Sequence, residues 1–215
     1  MRTVFITFIA LVDSYLTISQ PGKAEYSEKR SKFLAFAFPV THVDEVKELV
    51  QQHEKEYYDA RHVCYAYMLG AERTVFRAVD NGEPSGTAGR PILGQINSAE
   101  LSDILIIVVR YFGGVKLGTS GLINAYKIAA ASAIEACQVV ERTVDDILDV
   151  HFEYPLMNSV MRVVKEESPT VLGQMFEQDC ITRVRTRRGL TEHLKQRFED
   201  IRGVTVEVKD ASDLQ

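Results

Sequence analysis

Ser102-Asp-Ile-Leu-Ile-Ile-Val-Val-Arg-Tyr-Phe-Gly-Gly-Val-Lys-Leu-Gly-Thr-Ser-Gly121 joins an unbroken apolar run to a turn rich in glycine. Ile104 to Val109 shows no alternation of polar and apolar positions and is mostly β-branched, so it reads as a central strand buried on both faces. The strand closes at Arg110, Tyr111 and Phe112. Beyond the glycines, Leu122 to Cys137 is rich in alanine and free of breakers, which predicts a long buried helix. A strand that delivers a glycine turn onto a helix N-terminus exposes main-chain N–H groups and the positive end of the helix dipole, a combination that suits phosphate. On that reading Gly113, Gly114 and Gly118 open the backbone, Arg110 and Lys116 supply countercharge, and Thr119 or Ser120 caps the helix or meets a phosphate oxygen. The competing reading is that the glycines only permit a tight bend and close packing. The motif is not a Walker A loop, since Thr119 rather than lysine follows Gly118, and its glycine spacing is not that of a dinucleotide fingerprint.

Upstream, His62-Val-Cys-Tyr-Ala-Tyr-Met-Leu69 predicts a strand with His62, Cys64, Ala66 and Met68 on one face. Thr74 to Val79 predicts a second. Asp80-Asn-Gly-Glu-Pro-Ser-Gly-Thr-Ala-Gly-Arg-Pro91 carries three glycines and two prolines, a composition that predicts a shaped loop and not the interior of a regular element. In it Asp80 and Glu83 are of the type that binds Mg²⁺ or acts as a base, and Ser85 and Thr87 of the type that attacks or touches phosphate, with Arg90 beside them. No histidine or lysine stands next to Ser85 to activate it, and side chains bonding their own backbone account for the same composition. His62 and Cys64 lie roughly 6–7 Å apart at their roots, too far for mutual activation, and no second pair completes a metal set.

Nearer the start, Ser14 to Ser19 alternates as a strand that ends at Pro21-Gly22. Glu25 to Lys32 reads as a charged loop or edge segment, and Phe33 to Val40 as a strand. Thr41 is the expected cap of a helix whose stripe is Val43, Val46, Leu49 and Val50. Residues 1–12 are apolar behind one arginine, but too few to span a bilayer, and no small-residue cleavage site comes after them. They read as an extra leader outside the core, one that either packs as a strand or arises from a start placed too far upstream.

A boundary falls between Val140 and Asp145. The remaining chain reads as strand (147–154), helix (155–165, with Pro155 at its start), strand (171–177), strand (180–187), helix (191–198) and strand (204–208). Strand-helix-strand-strand-helix-strand is the ferredoxin-like order. The organisation expected is therefore a first domain over 13–140, a ferredoxin-like domain over 141–209 and a tail at 210–215. Arg183, Arg185 and Arg187 alternate onto one face of the strand at 180–187, and form either a polyanion contact or a solvated row. That strand lacks the aromatic residues of an RNA-recognition module.

The formal net charge is -5 and the sequence pI about 5.6, so the molecule as a whole has no field that draws a polyanion; any such contact must be local. Three cysteines, Cys64, Cys137 and Cys180, are too few and too scattered for a zinc site or a disulfide framework, and read as reduced thiols of a cytoplasmic protein. No cofactor, metal or membrane is called for.

Three stretches closely resemble the IMPACT family, known in bacteria through YigZ-like proteins: Lys29-Arg-Ser-Lys-Phe-Leu-Ala35; His62 to Tyr67 together with Asp80 to Pro91; and Val108 to Gly118 with Gly121-Leu-Ile-Asn-Ala-Tyr126 just beyond it. Asn81 stands where the family commonly has an acidic residue, and Ser120 where glycine is frequent. The resemblance implies an α+β protein: a first domain like domain 2 of ribosomal protein S5, then a ferredoxin-like domain like the last domain of elongation factor G. Eukaryotic members act in translational control by binding a large activator of an initiation-factor kinase, but they carry an additional N-terminal domain not expected here, so that partner is not implied for this chain. For the bacterial type it implies a non-catalytic protein that binds RNA or a ribosome-associated component, by analogy of fold. A phosphate-handling hydrolase or transferase built on the two loops, and a protein adaptor, are the alternatives.

Overall fold

The structure, a computed structural model, describes residues 12–176 and 179–210; the leader, apart from Val12, and the end of the tail lie outside them. The chain divides into two compact units. One is Tyr15–Arg142, and the other comprises, of the described residues, those from Thr143 onward with Val12, Asp13 and Ser14.

The first unit is built on a five-stranded antiparallel sheet. Its strands are β2 (Gly22–Glu28), β3 (Ser31–Pro39), β4 (His62–Leu69), β5 (Val75–Val79) and β6 (Ile104–Tyr111), in the order β2-β3-β6-β4-β5. β6 is central, and its residues from Ile104 to Val109 are all fully buried, because both faces of the sheet are covered. On one face, Phe33, Ala35, Cys64, Ala66, Ile104, Ile106 and Val108 pack beneath helices α2 (Gly89–Ser98) and α3 (Gly118–Glu135). On the other, Leu34, Phe36, Val63, Tyr67, Leu105, Ile107 and Val109 meet helix α1 (Val43–Glu56). A short pair, β1 (Ser14–Ile18) with β7 (Val139–Thr143), completes the unit.

Several expectations change. Of the two readings of the charged stretch Glu25–Lys32, the edge segment holds for most of it, as strand β2 and the turn after it, where Lys29 and Arg30 both take positive φ. Thr41 is not the cap of α1: His42 holds that position without a side-chain bond, and the Thr41 main-chain N–H donates instead to Glu45 Oε2 at 2.8 Å. The loop after Asp80 ends sooner than predicted, since Gly89, Arg90 and Pro91 form the first turn of α2. That turn lies so close to β5 that a Cβ on Gly89 would stand 2.4 Å from the Val79 nitrogen. Helix α3 begins at Gly118, not Leu122, with Leu117 at its cap position and no side-chain capping bond, so neither Thr119 nor Ser120 caps it.

The second unit runs β8 (Asp145–Glu153), α4 (Met157–Glu167), β9 (Thr170–Phe176), β10 (Asp179–Arg187), α5 (Thr191–Glu199) and β11 (Thr205–Asp210). Pro155 sits in a single 3₁₀ turn just before α4. The sheet order is β11-β8-β10-β9, antiparallel throughout. Leu148, Val150, Phe152, Cys180 and Val184 pack against Val160, Val163, Leu194 and Phe198 of the two helices. β9 is an edge strand exposed along its whole length.

Candidate functional site

The alternation that fills the core beneath α2 and α3 also decides the site. His62 and Arg110 have the parity of the residues packed under those helices, and the register sets Phe33, Arg110 and His62 abreast on β3, β6 and β4. Beside Arg110 and His62, between this end of the sheet and the start of α3, a cleft of about 670 Å³ opens. Its polar lining is Arg61, His62, Glu83, Arg110, Lys116 and Thr119; Pro84, Phe112, Leu117 and Leu122 supply the apolar wall. Two sequence-predicted loops therefore converge on it, one through Glu83 and the other through Lys116, Gly118 and Thr119.

The floor is a buried ion pair. Arg110 Nη1 lies 2.5 Å from Glu83 Oε1, and the same oxygen accepts a hydrogen bond from the Tyr126 hydroxyl at 2.9 Å. The Arg110 guanidinium also lies 5.6 Å from the Phe33 ring centroid and 5.7 Å from that of Phe112. Its Nε is buried with no hydrogen-bond partner among the described residues. Arg110 is thus neutralised by Glu83, and not a free countercharge as predicted. Burial, reinforced by the neighbouring Cys64 and Glu83, raises the Tyr126 pKa far above its ordinary value, so the hydroxyl keeps the proton it donates. Burial likewise pushes Cys64 up to about 12; its Sγ rests 2.9 Å from the Asp80 carbonyl oxygen as an inert thiol.

Asp80 does not line the cleft. Its Oδ1 accepts from the main-chain N–H groups of Ala88 and Gly89, at 2.9 and 2.8 Å, and its Oδ2 from that of Gly86, at 2.8 Å. Burial alone would raise its pKa, but these three donors outweigh that cost and hold the carboxyl below its ordinary value. Asp80 is the latch of the loop and the N-terminal anchor of α2. Thr87 bonds its own loop, donating to the Pro84 carbonyl at 2.7 Å, while Ser85 and Arg90 are exposed on its outer side. The geometry thus separates Asp80 and Ser85 from Glu83, which turns inward.

On the facing wall, Gly113 is pressed against β3: its N–H donates to Ser31 Oγ at 3.2 Å, and a Cβ there would stand 2.0 Å from the Arg30 carbonyl carbon. Gly114 and Gly118 instead have open space around them and positive φ of 85° and 75°. Among the described residues, no hydrogen bond engages the main-chain N–H groups of Gly114, Val115 or Lys116. Lys116 and Arg61 are both exposed and have no ion-pair partner among the described residues. Ser120 lies in the first turn of α3, outside the cleft lining.

The arginine row of β10 is differently placed. Arg183 makes two bonds to Asp149, at 2.5 and 2.7 Å; Arg185 lies 3.7 Å from Asp145; Arg187 lies 2.9 Å from Asp13. Each cation faces a carboxylate that sequence periodicity gave no means of pairing with it. Sequence reading also missed Arg61, Phe112 and Tyr126. Phe112 was within reach, since it stands two residues beyond Arg110, the strand interval that places both on one face.

The residues that shape this cleft lie within a match to the Impact N-terminal domain family model over residues 29–134. "IMPACT family member YvyE" of Bacillus subtilis is 34% identical over 156 residues, which cover 73% of this chain and 72% of that protein. The chain belongs to the IMPACT family. "IMPACT family member YigZ" of Escherichia coli is 28% identical over 175 residues, 80% of this chain and 86% of its own length. "Protein IMPACT" of Rattus norvegicus matches over 98 residues at 28% identity, 44% of this chain and 31% of the rat protein. A solved structure described as "Crystal structure of an hypothetical protein" shares 26% identity and a TM-score of 0.68, covering 93% of this chain and 98% of its own.

Proposed function

We propose that this IMPACT family member is a non-catalytic cytoplasmic protein that binds RNA, free or in a ribosome-associated particle, and so acts in translation. The observation that carries the reading is Lys116: an ammonium without a carboxylate partner among the described residues, on a cleft wall whose main-chain N–H groups are also unengaged. Phosphate satisfies both kinds of donor at once. Arg61 adds a second cation without an ion-pair partner among the described residues, and Phe112, about half exposed, offers a ring face against which a base can stack. Because the whole molecule is acidic, such a local grip is the form that polyanion binding must take.

The first unit is taken as similar to domain 2 of ribosomal protein S5 and the second to the last, ferredoxin-like domain of elongation factor G; the order β11-β8-β10-β9 supports the latter. Among the described residues no helix is long and apolar enough to cross a membrane.

The enzyme reading is weaker because Asp80 is spent on the latch and, among the described residues, no side chain hydrogen-bonds Ser85 to activate it. The adaptor reading has one observation of its own. Val171, Leu172, Met175 and Phe176 are all exposed on edge strand β9, a surface suited to strand addition by a protein partner.

Fluorescence-anisotropy titration of labelled single-stranded RNA, and sedimentation with ribosomes, test the proposal at low and moderate salt. Lys116→Ala is expected to weaken binding roughly tenfold and lower the salt slope by about one. Arg185→Ala, whose cation faces Asp145, is expected to change little. Absence of binding to both RNA and ribosomes at low salt would overturn the reading.

A further inference from the structure

His62 Nε2 and Glu83 Oε2 face each other across the cleft floor. His62 Nδ1 lies 3.0 Å from the carbonyl oxygen of Asn81, which only accepts, so Nδ1 carries the hydrogen. In the neutral ring this leaves Nε2 with a bare lone pair in the cleft. Nε2 lies 3.9 Å from Glu83 Oε2, whereas the other carboxylate oxygen is already taken by Arg110 and Tyr126. Two acceptors so placed are met by a proton on the imidazole, by water, or by donors that a guest brings in water's place.

We infer that the couple formed by His62 Nε2 and Glu83 Oε2 receives the vicinal 2′- and 3′-hydroxyls of a ribose, so that the cleft takes the free 3′-terminal nucleotide of an RNA. A vicinal diol carries one proton for each acceptor, on oxygens close enough together to reach both at ordinary hydrogen-bond length. The volume of about 670 Å³ is that of a pocket for one small ligand, not of a groove for a duplex. The phosphate that links this nucleotide to the one before it then lies toward Lys116, and the base lies against Phe112. An internal nucleotide has only its 2′-hydroxyl to offer, and DNA only a terminal 3′-hydroxyl, so each leaves one acceptor unmet.

This inference rests on the RNA-binding reading and is separable from it. The probe is a 5′-labelled decauridylate, which has no exocyclic amine to compete for the acceptors, in three forms: a natural 3′ end, a 2′-deoxy last residue, and a 3′-phosphate. The wild-type protein is expected to bind the natural end roughly tenfold more tightly than either modified one. His62→Ala is expected to abolish the preference for the natural end, bringing it down to about the affinity of the modified forms while RNA is still bound, a pattern that a general loss of structure would not produce. Equal affinity of the wild-type protein for all three overturns the inference while the RNA-binding reading stands. Failure to bind any of them, or ribosomes, at low salt overturns both. Tighter binding of decaadenylate that ignores the state of its 3′ end would mean that a base amine occupies the couple, and would overturn the diol assignment.

Discussion

Arg110 Nη1 and Glu83 Oε1 stand 2.5 Å apart, and both side chains are almost wholly withdrawn from solvent. Removing either partner strands a charge in a place built for two. Arg110→Ala and Glu83→Gln are each expected to lower the stability of the first unit by about 3–5 kcal/mol. The double variant Glu83→Leu with Arg110→Met removes both charges and is expected to recover most of that loss, because apolar groups of similar volume replace the pair. Urea unfolding curves of the four proteins check this. A double variant no more stable than the singles would show that the pair is held by its surroundings and not by its own charges.

Asp149 joins β8 to β10 and β11, and hydrogen bonds from Arg183 and then Lys209 hold its pKa down to about 2. An unfolded aspartate titrates near 3.9, so the folded form binds its proton more weakly. The stabilisation is therefore complete above about pH 4 and is lost as the pH falls from there through about 2. With both cations part-exposed, the contribution is on the order of 1–2 kcal/mol at neutral pH. Asp149→Asn is expected to lose that amount at pH 7 and to show a shallower decline in stability between pH 4 and 2, measured by denaturant unfolding at a series of pH values.

Neighbouring glycines in the turn after β6 are expected to differ in what they tolerate. A methyl group on Gly113 would drive into the Arg30 carbonyl and the Ser31 nitrogen, 2.0 and 2.3 Å away, so Gly113→Ala must separate the turn from β3. It is expected to cost about 3 kcal/mol or more. Gly114 has no atom within 4 Å of such a methyl and only a positive φ to defend, so Gly114→Ala is expected to cost about 1 kcal/mol. Thermal melts of the two variants decide the matter; equal losses would mean that the turn detaches readily.

How far each signal reaches along the chain decides how much of the molecule was legible in its sequence. The burial of Ile104 to Val109 was legible because a β-branched run states its own environment. The shared face of His62, Cys64 and Met68 was legible because strand alternation is local. The early start of α3 was hidden by Gly118 and Gly121, whose poor propensity is overridden by packing. β7 is short and mostly exposed, and exists as a strand through its pairing with β1. The site suffered most from this limit. Glu83 looked like a base or metal ligand because its partner Arg110 lies 27 residues further on, and Arg183 looked like a free cation because Asp149 lies 34 residues back.

The grip of Asp80 on three amides has a kinetic consequence. A loop fixed from within by its own carboxylate has already surrendered its freedom when the chain folds, so the inward aim of Glu83 is in place before any guest arrives. Entry into the cleft then needs no slow rearrangement of this wall, and differences between rival guests should appear in how long each one stays rather than in how quickly it enters.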